Sequence, residues 1–209
     1  MSDEALRRDV ARYYTGKLHE HGATAQGVDW RDDSSQRARF GQLLRVADGA
    51  DRIELLDYGC GYGALVDELE RDGRPFRWIG FDISDAMRDE ARARYGQRRE
   101  CHVVADDSKL EAVDFVVASG IFNVRLDADE VVWRQYVDRT VERLHELSRR
   151  GFAFNMLTSY SEPEKMRKDL YYADPLDWFD RCKRRYSRHV ALLHDYGLWE
   201  FTIIVRKDV

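Results

Sequence analysis

Short apolar runs alternate with helix-length segments along this chain, and that alternation constrains the fold more than any other feature. Ile53–Tyr58 is a compact apolar run that stops at a cluster of glycines, and Asp114–Ala118 has an uninterrupted apolar centre. Continuous runs of this length are typical of strands buried on both faces of a parallel sheet. The segments between them carry apolar residues at helical spacing. The alternation predicts an α/β fold with a doubly wound, mostly parallel, Rossmann-like sheet.

The same patterns delimit the individual elements. The predicted strands are Ile53–Tyr58, Phe76–Phe81, Cys101–Ala105, Asp114–Ala118 and Phe152–Leu157, and the predicted helices are Ala64–Arg71, a segment capped by Ser84, Val131–Leu147 and a short helix opened by Pro175. Near the end of the chain, Val190–His194 and Trp199–Arg206 flank Asp195-Tyr196-Gly197, which has the composition of a turn. This pair predicts a C-terminal hairpin whose last strand is antiparallel to the sheet.

The length of 209 residues predicts a single domain. Residues 1–50 have a helical and irregular pattern, and we expect them to cover the ligand side as an N-terminal cap. Residues 51–209 carry the strand and helix alternation and form the predicted ligand-binding core.

The composition excludes several classes of protein. A net charge of −5 gives no overall attraction for nucleic acid, and the densest basic cluster, around Arg184, is interpreted as a solvated helix face. No apolar stretch is long enough to span a membrane, and the first ten residues lack the pattern of a signal peptide. Three scattered cysteines indicate a reducing, cytoplasmic setting. His19 and His21 are two residues apart and point in different directions on a helix, so no metal site is predicted. The oligomeric state is left open.

The glycine cluster after the first predicted strand is the strongest sign of a ligand site. The sequence Asp57-Tyr58-Gly59-Cys60-Gly61-Tyr62-Gly63 lies between a strand and a helix, where the backbone must turn sharply and can approach a ligand closely. The same letters satisfy the dinucleotide pattern G-x-G-x-x-G/A, which leaves a nicotinamide-dependent oxidoreductase as an alternative. Asp57 favours a cationic ligand, because a carboxylate beside this turn would repel a pyrophosphate. Asp82, at the end of the second strand, is placed to accept hydrogen bonds from ribose hydroxyls.

These segments together resemble the motifs of class I S-adenosylmethionine-dependent methyltransferases. The turn at residues 57–63 resembles motif I, Gly80-Phe81-Asp82-Ile83-Ser84 resembles the acidic motif of the second strand, and the C-terminal hairpin resembles the reversed last strand of that family. The resemblance implies a methyltransferase with S-adenosylmethionine as cofactor and S-adenosylhomocysteine as product. The residues it implies for cofactor binding are Asp57, Gly59, Cys60, Gly61, Gly63, Asp82, Ile83, Met87, Asp106, Ser119, Gly120 and Phe122. Among these, Asp82 would hold the ribose, Ile83 and Met87 would contact the adenine ring, and Asp106 would bind the adenine edge.

The N-terminal segment is similar to a bacterial branch of the same family. That similarity covers residues 27–40, together with Ser119–Asn123 and the closing His194-Asp195-Tyr196, and it supplies no substrate. Gln36 or Arg39 could hold the methionine carboxylate of the cofactor. A protein that keeps this fold and binds the cofactor without catalysis is a further alternative.

Residues for the methyl acceptor are predicted only from their places near strand ends and in the cap. His194, oriented by Asp195, is the candidate general base, because its turn should open on the ligand side of the sheet. The candidate substrate contacts are Tyr13, Trp30, Asn123, Asn155 and Tyr160. A compact, acidic chain favours a small-molecule acceptor, whose nucleophilic atom would attack the activated methyl group in line and displace the sulfur of the cofactor.

Overall fold

The computed structural model describes residues 3–207, which form an α/β fold. The helices are α1 (Asp3–His21), α2 (Asp33–Leu44), α3 (Leu65–Asp72), α4 (Asp85–Tyr95), α5 (Glu130–Leu147) and α6 (Pro175–Arg185). The strands are β1 (Ile53–Tyr58), β2 (Phe76–Phe81), β3 (Cys101–Val104), β4 (Val113–Ala118), β5 (Ser148–Thr158), β6 (Tyr172–Ala173), β7 (His189–Leu193) and β8 (Glu200–Arg206).

One mixed sheet contains all of these strands, in the order β3-β2-β1-β4-β5-β8-β7. Strands β1 to β5 are parallel to one another, whereas β8 runs antiparallel to both β5 and β7. The two-residue β6 pairs in parallel with the carboxyl end of β5. The predicted doubly wound sheet with an antiparallel C-terminal strand is therefore confirmed.

The element bounds agree with prediction where the apolar pattern was sharp. Strands β1 and β2 have the predicted ends, and α5 begins one residue early. Strand β5 is longer than the predicted Phe152–Leu157, because its amino end consists of polar residues that carry no strand pattern. Strand β7 ends at Leu193, which leaves His194 outside it. Strand β6 was not predicted, since two residues are too few to show a period.

Two apolar layers cover the two faces of the sheet. Because side chains alternate along each strand, the strands contribute residues to both layers. In β4, Val116 packs with α5 and α6, while Phe115 and Val117 pack on the opposite face with α2, α3 and α4. The central strands are buried almost throughout, as a parallel sheet covered on both sides requires. This packing fixes the carboxyl ends of β1, β2 and β4 side by side.

The N-terminal region straddles that carboxyl edge of the sheet. Helix α1 packs on one face through Leu6 and Val10, and α2 packs on the other face through Phe40 and Leu43. The chain between the two helices therefore crosses from one face to the other. We call residues Gly27–Trp30 within this crossing the strap. The division into a cap up to residue 50 and a core from residue 51 stays a prediction.

Candidate active site

The glycine turn begins where β1 ends. Gly59 has a φ of 85°, a left-handed conformation that disfavours any residue with a Cβ. A Cβ at this position would lie 2.2 Å from Cγ2 of Ile121, in the loop that follows β4. Glycine thus lets two neighbouring strand ends approach each other at the edge of the site.

The amide groups of this turn are already used within the protein. The N–H groups of Gly59 and Cys60 both donate to the carbonyl of Phe81, at 2.7 and 2.9 Å, and the N–H of Gly61 donates to Oδ2 of Asp82 at 2.9 Å. A pyrophosphate needs free N–H groups at such a turn. Their internal pairing, next to a buried carboxylate, disfavours the dinucleotide alternative.

Asp82 is held in a fixed orientation at the end of β2. Its Oδ2 accepts the N–H of Gly61, and its Oδ1 accepts the N–H of Ser84 at 2.8 Å. Burial raises the pKa of Asp82, although these N–H donors and the guanidinium of Arg88 act in the opposite direction. Each carboxylate oxygen has a second lone pair, so Asp82 can accept two further hydrogen bonds from a ligand diol.

Asp57 is a buried carboxylate beside the turn, with 2% of its surface exposed. The indole Nε1 of Trp78 donates to its Oδ2 at 3.3 Å. Burial raises the pKa of Asp57 to about 7, partly offset by this hydrogen bond. A buried carboxylate with such a raised pKa is best stabilised by a cation brought to it.

A cavity at the carboxyl edge of the sheet brings most of the predicted cofactor residues together. Its lining includes Asp57, Gly59, Cys60, Gly61, Asp82, Ile83, Met87, Ser119, Gly120 and Gln36, and the predicted substrate residue Trp30. The amide oxygen of Gln36 accepts the hydroxyl of Tyr62 at 3.2 Å. The hydroxyl of Ser119 is buried and has no hydrogen-bond partner within residues 3–207, so a ligand can supply one.

Several predicted cofactor residues lie outside this lining. Gly63 packs against the ring of Tyr95, and Phe122 is a fully buried core residue. Asp106 is exposed, and its Oδ1 accepts both the N–H and the hydroxyl of Ser108, which makes it the cap of a short turn. Contacts of these three residues with the cofactor stay predictions.

Arg39 does not reach the cavity lining either. Its Nε lies 2.5 Å from Oε1 of Glu200, and its guanidinium carbon lies 3.8 Å from the centroid of the Trp30 ring. One side of the guanidinium thus faces a carboxylate of the protein, and a contact of Arg39 with a cofactor carboxylate stays a prediction. Gln36 is the one of the two candidates that faces the cavity.

The predicted acceptor residues are dispersed. The hydroxyl of Tyr13 donates to Asp29 at 2.8 Å, and Oδ1 of Asn123 accepts the N–H of Leu157 at 3.2 Å. Asn155 is fully buried behind the loop after β4, whereas Tyr160 is 60% exposed. Trp30 alone among the five lines the cavity.

The predicted base and its orienting carboxylate lie on the outer hairpin. His194 and Asp195 are both exposed and neither lines the cavity. The ring of His194 lies 6.0 Å from that of Tyr160 and 6.3 Å from that of Phe201, measured between centroids. The structure does not bring this pair to the cofactor residues.

Sequence reasoning missed several residues of the site. Helix α1 contributes Val10 to the lining, and Val28 of the strap also faces the cavity. Ordinary apolar residues in a helix give no signal of such a role. Glu200, which pairs with Arg39, did give one, because it is the only carboxylate within the apolar segment Trp199–Arg206.

Known proteins match this chain at the level of sequence and of fold. Residues 55–151 match a family model described as a methyltransferase domain. A Mycobacterium tuberculosis protein, whose name provisionally assigns it to the methyltransferases, is 49% identical over 164 residues, which cover 78% of this chain and 99% of that protein.

Solved structures with low sequence identity share the fold. Human N-acetylserotonin methyltransferase in complex with SAM has a TM-score of 0.70 at 14% identity, over 100% of this chain and 61% of that one. The DhpI-SAM-HEP complex has a TM-score of 0.64 at 17% identity, over 98% and 99% of the two chains. The extent and identity of the mycobacterial match establish the family, and the chain therefore belongs to the class I S-adenosylmethionine-dependent methyltransferases.

Proposed function

We propose that this methyltransferase transfers the methyl group of S-adenosylmethionine to a small-molecule acceptor by in-line displacement. The observation that carries the proposal is the buried carboxylate of Asp57, which faces the cavity beside the glycine turn and lies in a site that suits a cationic ligand. S-adenosylmethionine carries a sulfonium and an ammonium, and either charge would stabilise the ionised form of Asp57.

The other lining residues divide between the two ends of the cofactor. Asp82 would accept the ribose hydroxyls with the lone pairs that its backbone partners leave free. Ile83 and Met87 follow Asp82 at the edge of the cavity and would contact the adenine ring. At the methionine end, the amide of Gln36 can donate to the carboxylate, and the unpaired hydroxyl of Ser119 can bond to the amino group or the acceptor.

For methyl transfer, the protein has mainly to hold the acceptor and the cofactor in the right relative position. The bound cofactor supplies a methyl group that is already activated by its positive sulfur. The lining residues would hold the acceptor about 3–3.5 Å from that methyl group and in line with it. A general base is required only for an acceptor that must lose a proton. Because His194 and Asp195 lie outside the cavity, the proposal gives them no catalytic role.

The charges of the surface support a small acceptor rather than a nucleic acid. In the basic cluster on α6, Arg181 pairs with Asp138 and Asp177, and Arg184 pairs with Asp180. These arginines are balanced by neighbouring carboxylates and form no free basic stripe. The cavity also lies between α1 and α2, which limits the size of a molecule that reaches it. None of the helices within residues 3–207 is long and apolar enough to cross a membrane.

The first test is a calorimetric titration with S-adenosylmethionine and, separately, with NAD. We expect micromolar binding, about −8 kcal/mol, for S-adenosylmethionine and none for NAD. Preference for NAD would contradict the proposal and favour an oxidoreductase.

A second test follows the product S-adenosylhomocysteine during incubation with panels of small alcohols, amines, thiols and carboxylic acids. Formation that depends on one acceptor class supports transfer to a small molecule. Cofactor binding without turnover on any panel would favour the non-catalytic alternative, and turnover only with protein or RNA would contradict the small-molecule acceptor.

A further inference from the structure

A closed ring of contacts beside the cavity joins the N-terminal region to the loop after β4 and to strands β5 and β8. The N–H of Gly120 donates to Oδ1 of Asn155 at 2.7 Å, and Nδ2 of Asn155 donates to Oε2 of Glu200 at 3.1 Å. Glu200 forms the ion pair with Arg39, and Arg39 stacks on the ring of Trp30. Trp30 closes the ring, because its indole lies against Gly120.

The charged members of this ring are withdrawn from solvent. Arg39 is 8% exposed and Glu200 is 1% exposed. A buried ion pair is costly to desolvate and is weak evidence of stabilisation, so its presence calls for another explanation. Neither residue lines the cavity, and the contact of Arg39 that points toward the cavity is the stack on Trp30. A desolvated guanidinium over an indole is a strong restraint on the position of that ring.

The indole of Trp30 occupies a space that only a glycine leaves open. Gly120 has a φ of 73°, and a Cβ there would lie 2.3 Å from Cζ2 of Trp30. At the other end of the strap, Cγ1 of Val28 would lie 3.0 Å from a Cβ at Gly61. The strap thus spans the mouth of the cavity from the glycine turn to the loop after β4.

The order of strands places Trp30 on the acceptor side of the cofactor. Asp82, the proposed ribose ligand, follows β2, and β1 and β4 come next across the sheet. A cofactor whose ribose lies at β2 and whose methionine lies at the glycine turn presents its methyl group toward β4. Trp30 stands against Gly120, the second residue after β4.

We propose that Trp30 is a specificity-determining residue that bounds the space in front of the sulfur-linked methyl group, with Arg39 and Glu200 as positioning residues that fix its ring. The inference rests on the proposed function, since it takes the cavity as the cofactor site. It predicts that the cavity tolerates a methyl group on the sulfonium and resists larger alkyl groups.

The test compares calorimetric affinities for S-adenosylmethionine and for its S-ethyl and S-allyl analogues, which needs no knowledge of the acceptor. For the unaltered protein we expect the ethyl analogue to bind roughly tenfold more weakly than the methyl compound, the smallest penalty usual for one extra methylene in a fitted pocket. Trp30→Ala should bring this ratio close to 1, and Trp30→Phe, a smaller change for the fold, should lower it in part.

Substitutions of Arg39 and Glu200 distinguish a positioning role from a general loss of structure. Arg39→Met and Glu200→Gln should lower the ratio of the dissociation constants for the ethyl and methyl compounds, although neither residue touches the cavity. Arg39→Lys keeps a cation over the indole and should retain that ratio. A merely structural loss would weaken all analogues equally and leave the ratio unchanged. Arg150→Met is the matched control, because the guanidinium of Arg150 stacks at 4.9 Å on Phe115 with its side chain 51% exposed, away from the cavity.

The outcomes are distinct. An unaltered protein that binds methyl and ethyl compounds equally, or a Trp30→Ala variant with the original ratio, would overturn the role of Trp30. Relaxation by Trp30→Ala, with an unchanged ratio in both Arg39→Met and Glu200→Gln, would overturn the positioning role. Failure of the unaltered protein to bind S-adenosylmethionine would instead contradict the proposed function itself.

Discussion

The two ends of the cavity are built in different ways. At the end that we propose for the cofactor, Oδ2 of Asp82 accepts the backbone N–H of Gly61, 21 residues earlier, and its Oδ1 accepts that of Ser84, two residues later. At the end that we propose for the acceptor, Trp30 of the strap is backed by Arg39 of α2 and Glu200 of β8, and the three meet through side chains alone. Two short motifs, each at the end of a strand, therefore specify the first end, whereas the second exists only when distant elements have packed.

The difference has an energetic consequence. The cofactor end satisfies its carboxylate with N–H donors that are part of the backbone and cost little entropy to place. The acceptor end buries two opposite charges, and each depends on the other for compensation. Changes at the acceptor end should therefore affect folding more, and changes at the cofactor end should affect ligand binding more.

The largest expected effect is on stability, at Glu200. Glu200→Ala leaves Arg39 buried without its partner, and we expect a loss of about 3–5 kcal/mol in the free energy of unfolding at pH 8. Urea denaturation measures this loss. Arg39→Met/Glu200→Leu, which removes both charges, should lose much less. Equal losses in the single and double variants would show that shape rather than charge compensation matters here.

The next effect concerns cofactor binding, at Asp82. Asp82→Ala removes the proposed acceptor of two ribose hydroxyls and should weaken S-adenosylmethionine binding by about 3 kcal/mol, roughly a hundredfold. Calorimetry gives the affinity, and thermal unfolding shows whether the variant is folded. Asp106→Ala is the control, because Asp106 is exposed and caps its own turn. A comparable loss of affinity in Asp106→Ala would indicate that Asp106 binds the adenine edge, as the family resemblance implies.

The fold was predictable from the sequence, and the structure brings together more of the residues predicted for the cofactor than of those predicted for the acceptor, for the same physical reason. Strand β1, the glycine turn and Asp82 are patterns of adjacent residues, so spacing is enough to find them. Arg39 is a charged residue on a helix, and no local pattern shows that it turns inward to Glu200, some 160 residues later in the chain. His194 is the converse case, because a strand end is visible in the sequence but its distance from the cavity is not.

A pair of glycines tests how tightly the acceptor end is packed. Gly120 and Gly197 have φ values of 73° and 74°, but a Cβ at Gly197 would meet nothing within 4 Å. Gly197→Ala should cost only the left-handed strain, about 1–2 kcal/mol. Gly120→Ala should cost about 1–3 kcal/mol more, because the new methyl group must displace Trp30. Equal losses in urea denaturation would show that the indole moves aside freely.

The last prediction is a dependence on pH that has opposite signs for folding and for binding. Burial raises the pKa of Asp57 and of Glu200 to about 7. Between pH about 4 and 7 the folded protein then retains protons that the unfolded chain has released. These two groups therefore lower the free energy of unfolding as pH rises through this range. Urea denaturation of the unliganded protein should show that decline, and Glu200→Gln should reduce it.

Binding should respond in the other direction, through Asp57 alone. A cationic cofactor stabilises the ionised carboxylate, so its binding must expel the proton that Asp57 holds below pH about 7. We expect the affinity for S-adenosylmethionine to fall roughly tenfold from pH 7 to pH 5.5, measured by calorimetry, with proton release seen in buffers of different ionisation enthalpy. Asp57→Asn should bind more weakly at pH 7 and lose the slope. If the affinity of this variant still depends on pH, a carboxylate other than Asp57 contacts the cation. Asp82 is the other carboxylate in the cavity lining.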